Sequence, residues 1–273
     1  MSDKIDEISV RKVVKEKYSK LASTERQDCE CGKEYVSKIG YSSETMSGLP
    51  AEVLSVSAGC GNPTAIADLK KGQTVLDLGS GGGIDVFIAA REVGPAGKAI
   101  GVDATPEMIW RARKSAKTIG VENAEFRLGE IECMPVESGS IDVAISNCVI
   151  NLSPDKDRVF KEVFRVLKPG GKLAVSDMVL TRDVSQDERE KLKTWASCIG
   201  GAIKLEDYLE KMKAAGFVGV KVESEHVYGF DELYYLLCSD SCGCGCGSDD
   251  VGQLAGMTGK SNVATVKIVA FKP

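Results

Sequence analysis

The chain has 273 residues, with 40 acidic side chains against 35 basic ones and a net charge of -5. No Lys/Arg-rich run could track a phosphate backbone, which argues against nucleic acid as a partner, and no stretch of about 18 uncharged apolar residues suggests a membrane span. The opening M-S-D-K-I-D-E-I-S-V has no apolar signal core, so a cytoplasmic protein is expected, with most of its ten cysteines kept as thiols in a reducing compartment.

Val10, Val13, Val14, Tyr18 and Leu21 fall at helical spacing among charged residues, which predicts an amphipathic helix over Ile8 to Leu21. From Ser23 to Pro63 the periodicity is weak, and one short helix over Pro50 to Ser57 is expected within a cap. From Lys71 strands and helices alternate. Strands are predicted at 74–78, 98–103, 124–129, 141–147 and, after the turn K-P-G-G, at 172–179; helices lie between them at 84–93, 106–119 and 156–167. This alternation predicts a doubly wound α/β fold with a mostly parallel sheet. Further helices are predicted over Gln186 to Cys198 and Leu205 to Ala215, then a strand at 218–227. An irregular insertion rich in Gly, Ser and Asp covers Asp240 to Ser261, and a last strand at 263–271 closes an antiparallel hairpin. The expected division is an N-terminal helix and cap (1–62), a nucleotide-binding core (63–182) and an α+β C-terminal region (183–273).

After the first strand comes D-L-G-S-G-G-G, containing Asp77, Gly79, Ser80, Gly81 and Gly83. Glycines there let the backbone turn sharply and approach a ligand closely. The dinucleotide pattern G-x-G-x-x-G fails, because its third glycine falls on Ile84 or Val86. D-x-G-x-G-x-G fits. Asp103 ends the second strand twenty residues after Gly83, where a carboxylate meets ribose hydroxyls in open α/β sheets. Cys148 directly follows the fourth strand, and ligands in such sheets bind at the carboxyl ends of strands, so its sulfur is expected near the bound cofactor.

The glycine motif, Asp103, G-E-I-E after strand three and L-K-P-G-G before strand five together resemble the class I methyltransferases, which use S-adenosylmethionine; this resemblance covers roughly residues 60 to 182. It implies that Asp77, Gly79, Ser80, Gly81, Asp103, Ala104 and Met108 contact the cofactor. It further implies that Gly129, Glu130 and Ile131 flank the adenine, and that Ser146 and Asn147 lie near the methionine part. S-N-C-V-I-N-L with S-P-D-K, Y-S-S-E at Tyr41, G-C-G-N-P at Cys60 and W-A-S-C-I-G-G-A around Cys198 resemble the arsenite methyltransferases, from about residue 29 to 220. That resemblance implies a trivalent arsenic site of Cys60, Cys148 and Cys198, and a Tyr41 hydroxyl near the sulfonium of the donor. It also implies a fourth functional cysteine in the cap, where Cys29 and Cys31 compete and spacing to Cys60 favours Cys31.

The chemistry accounts for cysteine. As(III) is soft and prefers thiolate sulfur, and its lone pair can take a methyl group without a general base. This agrees with a chain whose one histidine, His226, falls in an alternating strand as an expected exposed filler. Methylation formally yields As(V), and a Cys31–Cys60 pair is expected to return two electrons and be re-reduced by thioredoxin or glutathione. Arsenite or its thiol conjugates are the implied substrate. Trp110, Cys133 and Cys238 are expected in packing. Cys242, Cys244 and Cys246 stay open between an arsenic-acquiring loop, a zinc-binding or adventitious loop and a silent insertion. Two other readings remain: a quinone-biosynthesis type C- or N-methyltransferase, which has no need of the three cysteines, and a soft-metal sequestering or sensing protein, which has no use for Asp103 and the glycine turn.

Overall fold

Apolar runs too short for helices and bounded by glycine become strands here, and the sheet they build sets the position of everything else. The computed structural model describes residues 7–23, 30–57, 59–183, 197–232 and 259–273, with backbone alone for 30–32 and 197–198. Strands β1 (Thr74–Leu78), β2 (Lys98–Asp103), β3 (Ala124–Leu128), β4 (Ile141–Asn147) and β5 (Leu167–Leu180) pair in parallel in the order β3-β2-β1-β4-β5. β6 (Val218–Gly229) and β7 (Lys260–Phe271) complete the same sheet, with β7 inserted antiparallel between β5 and β6.

Both faces of the central strands are covered, which is why β1 and β4 read as nearly continuous apolar runs. Alternate residues go to opposite faces. Val75, Val143, Ile145 and Ala174 pack on the side of α6 (Ile84–Val93). Leu76, Ala144, Leu173 and Val175 pack on the other, against α8 (Lys156–Val166) and α10 (Leu205–Ala214). The Asp155 side chain caps α8 by accepting from Arg158 N at 2.9 Å. Val159, Phe160, Val163 and Val166 then recur at helical spacing on its buried stripe. α7 (Pro106–Ile119) starts with proline at its first position and stops at Gly120, whose φ of 71° supplies the left-handed turn.

Several expectations are revised. α1 (Glu7–Ser23) spans the predicted amphipathic helix and α4 (Ala51–Leu54) falls within the expected short one, with Pro50 preceding it; the rest of the cap is more helical than its composition suggests, adding α2 (Glu30–Lys38), α3 (Ser43–Met46) and α5 (Thr64–Ala67). These helices bury apolar residues one or two at a time against the sheet's helices, too sparsely to leave a periodic signal. K-P-G-G lies inside β5 as an irregularity: Leu167 pairs with Ile141, and pairing resumes at Lys172 with Val143. Trp110 is 65% exposed on the outer face of α7, with Lys114 Nζ 5.3 Å from its ring centroid, not in the core. Cys133 is exposed too. Of the predicted helix to Cys198, residues 184–196 lie outside the described residues; Ser197–Gly200 form α9. Cys29, Cys238, Cys242, Cys244 and Cys246 also lie outside them, while Lys260 and Ser261 belong to β7.

Phe160 is fully buried and meets Tyr208 edge-to-face at 5.3 Å. Phe160→Ala should lower unfolding stability by roughly 3–5 kcal/mol, read from the urea midpoint at unchanged slope.

Candidate active site

Strand order reverses between β1 and β4, and a cleft opens at the carboxyl ends of these strands. Its floor is the glycine turn. Gly79 sits at φ 64°, and a Cβ there would run into the Val149 side chain, so this position accepts only glycine. Gly83 N donates to Ser80 O at 2.8 Å and tightens the turn. Asp103 braces it from β2, accepting from Gly81 N at 2.9 Å and Thr105 N at 2.8 Å. Asp77, Gly79, Ser80, Gly81, Asp103, Ala104, Met108, Glu130, Ile131 and Asn147 all line the cleft, with Cys148 beside them. Gly129 stands behind the wall, with its N–H on Asp103 O at 2.9 Å.

The mouth is roofed by α1, which contributes Arg11, Val14, Lys15 and Tyr18. Lys15 Nζ is 2.6 Å from Glu130, and Arg11 is 2.9 Å from Glu132. Glu130, implied at the adenine, is thus ion-paired to the roof.

Acid gathers beneath. Burial pushes Asp77 well above the usual carboxylate range, helped by Asp85 and Asp103, and burial raises Asp103 as well. Asp85, in the first turn of α6, rises to about 6 through burial, opposed by hydrogen bonds from Tyr41 and Asn147. Such a group of carboxylates gains by taking up a ligand with a cationic centre, as the sulfonium and ammonium of S-adenosylmethionine are.

Cys60 and Cys148 come from distant parts of the chain, and the structure bonds them as a disulfide with Cα atoms 5.8 Å apart. Cys60 is carried by the loop before α5, in which a Cβ on Gly59 would strike Asn147 and one on Gly61 would strike Ser176. Only an unsubstituted backbone reaches this close. Asn147 holds the loop: Oδ1 accepts from Cys60 N at 3.0 Å and Gly61 N at 3.3 Å, and Nδ2 donates to Gly61 O at 2.6 Å. The same Nδ2 reaches the Tyr41 hydroxyl at 3.0 Å, which donates to Asp85 Oδ1 at 2.7 Å. Cys148 leaves β4 in the left-handed region at φ 58°, a conformation rare for a residue with a Cβ, and its N–H donates to Ser176 O at 2.9 Å. Cys60 is thus bonded to Cys148, while the expected Cys31–Cys60 link involves a side chain outside the described residues. Cys31 lies in α2 and Cys198 in α9, both with backbone alone described.

Among the described residues, a third ligand-bearing group reaches these sulfurs. Asp177 on β5 is fully buried, and one of its carboxylate oxygens lies within 4.8 Å of both Sγ atoms. Oδ1 accepts from Asn151 Nδ2 at 2.8 Å and Met178 N at 2.9 Å, and Oδ2 accepts from the Tyr208 hydroxyl at 3.1 Å. Burial raises it to about 7. Sequence reasoning missed Asp85 and Asp177. The available signal was an acid inside an otherwise apolar helix, I-D-V-F-I-A-A, and inside an apolar strand, A-V-S-D-M-V-L, since an ionisable group there is rarely buried without a task.

A glycine turn after β1, an acid ending β2 and a cleft at the strand-order reversal define a class I S-adenosylmethionine-dependent methyltransferase. Residues 69–229 match the family model of a methyltransferase domain. The arsenite methyltransferase of Halobacterium salinarum is 41% identical over 235 residues, which cover 80% of this chain and 59% of that protein. The rat arsenite methyltransferase is 34% identical over 65% of this chain and 50% of its own. The chain therefore spans about half to three-fifths of these curated relatives. The crystal structure of CrArsM, an arsenic(III) S-adenosylmethionine methyltransferase from Chlamydomonas reinhardtii, superposes with a TM-score of 0.66 at 32% identity, covering 84% of this chain and 71% of that one. The chain belongs to the arsenite methyltransferase family. No described helix is long and apolar enough to cross a membrane.

Asp85 keeps its proton to about pH 6 when folded but only to about pH 4 when unfolded, so folding takes up a proton between these values. The stability this group contributes is full below about pH 4 and lost as pH rises through 6, on the order of 3 kcal/mol in all. Denaturation of wild type and Asp85→Asn at a series of pH values should show wild type losing stability relative to the variant as pH rises across that window.

Proposed function

We propose that this protein methylates trivalent arsenic held by cysteine thiols. The buried Cys60 and Cys148 pair at the edge of the cofactor cleft carries the reading. A quinone or amine substrate has no use for two thiols brought together there, whereas soft As(III) does. Bound S-adenosylmethionine supplies an electrophilic methyl group; Asp77, Asp103 and the glycine turn are the residues to hold it, with Asp85 and Asn147 facing its charged end.

The thiols hold arsenic with its lone pair free, and Asn147 serves both sites by fixing the Cys60 loop and reaching Asp85 through Tyr41. No proton has to be removed from arsenic, so alignment is the main demand on the protein. Cys198 is assigned as the third thiolate and Cys31 as an auxiliary thiol of the cap. After transfer, two sulfur ligands can leave the methylated arsenic as a disulfide while water or an external thiol takes the vacated third valence and releases a proton; arsenic gains the two electrons the sulfurs lose and returns to the trivalent state. The pair that the structure bonds, Cys60–Cys148, supports giving them this part in place of Cys31–Cys60. Thioredoxin or glutathione then restores the thiols, and the compartment is the reducing cytoplasm.

Arsenite-dependent release of S-adenosylhomocysteine tests the reading. Cys148→Ser should lower that release at least about a hundred-fold while S-adenosylmethionine affinity stays within about three-fold, as expected when a substrate ligand is removed and cofactor binding is kept. Release that ignores arsenite would overturn it.

A further inference from the structure

Asp177 is not explained by methyl transfer. It does not line the cofactor cleft, yet it is fully buried and has an oxygen within 4.8 Å of both sulfurs. Its two oxygens are unequally served: Oδ1 takes two donors, Asn151 and the backbone N–H of Met178, and Oδ2 takes only Tyr208. An ionised carboxylate accepts only, and each oxygen can take two bonds, so Oδ2 retains an unused acceptor position in a dry site. Asn151, Tyr208 and the Met178 backbone fix the plane of the group, leaving it little freedom to turn away.

Trivalent arsenic has three valences, and two thiols fill two. Carboxylate oxygen is a poor competitor for a soft centre, so Asp177 is not suited to be the third ligand itself. It is suited to accept a hydrogen bond from a hydroxyl on the third valence. We infer that Asp177 is a substrate-contacting residue that accepts the As–OH hydrogen of arsenite bound to Cys60 and Cys148, in the entry complex that precedes displacement of this last hydroxyl by Cys198, and thereby favours entry of arsenicals that still carry a hydroxyl. This rests on the arsenic reading of the thiol pair. The complex forms without redox change once the disulfide has been opened by a thiol or phosphine reductant, which is itself oxidised. As(OH)3 and the two thiols give a dithiolate As–OH and two waters: two As–O bonds break, two As–S bonds form, and each thiol proton leaves on a hydroxyl.

The test uses the full chain with every cysteine except Cys60 and Cys148 changed to Ser, reduced by a phosphine, and calorimetric titration at a pH of about 8, above the usual carboxylate range. Arsenite is compared with phenylarsine oxide, which two thiols convert to a dithiolate with no hydroxyl left. Asp177→Asn should weaken arsenite binding roughly ten-fold, the scale of one hydrogen bond to a charged acceptor, and leave phenylarsine oxide within about two-fold. Asn151→Ala keeps the carboxylate but removes a donor that fixes it. It should give the same selective loss at smaller size, and it decides the matter if Asp177→Asn does not fold. Equal loss of both arsenicals, or loss of neither, overturns the inference. Failure of the two-cysteine protein with Asp177 intact to bind phenylarsine oxide overturns the arsenic reading beneath it.

Discussion

The Asn147 side-chain amide joins parts of the chain that local structure cannot bring together. Its oxygen receives the two N–H groups of the Cys60 loop, and its nitrogen serves a carbonyl of that loop and the Tyr41 hydroxyl. An amide presents acceptors on one side and donors on the other, and here both sides are used. A carboxylate at this position would leave the Gly61 carbonyl without its donor. Through this one group the end of β4, the loop before α5, the cap at Tyr41 and the start of α6 at Asp85 are held in register. The approach of Cys60 to Cys148 follows from that arrangement.

Charge is the second organising constraint. Asp77 and Asp85 are buried and Asp103 is half-buried around the cofactor cleft, and Asp177 is buried around the thiols, each at a cost that an empty hydrophobic domain would not carry. Hydrogen-bond donors compensate three of these acids. Backbone N–H groups serve Asp103, Tyr41 and Asn147 serve Asp85, and Asn151 and Tyr208 serve Asp177. Two acidic sites therefore lie side by side with Asn147 and Cys148 between them.

Strands and helices from 74 to 166 were legible in sequence because each buries a regular face, and regular burial writes a period of two or of 3.6 into the chain. The cap was not, since α2 to α5 are short and lean on other elements for their order. Cys148 could be placed by topology alone, as the residue after β4. The nearness of Cys60 depends on a side-chain amide eighty-seven positions away, and no local pattern encodes that. Trp110 shows the reverse error: it was expected in packing, but the stripe of α7 set by Met108, Ile109 and Ala112 leaves it outside. Asp177 was hidden because its partners, Asn151 and Tyr208, come from separate segments.

The placement of β7 bears on how the molecule assembles. It is the last described strand in the chain, yet it lies between β5 and β6, and Val266 pairs with Asp177 itself. Until residues 260–271 are available, β5 has an open edge beside the thiol pair, with its backbone groups unpaired. Closing the sheet requires contacts between residues about ninety positions apart, a slow kind of step because the entropy of loop closure is lost before pairing compensates for it. The thiol-bearing half of the centre is thus completed late in folding, after the local βα units that form the cofactor turn can already be in place.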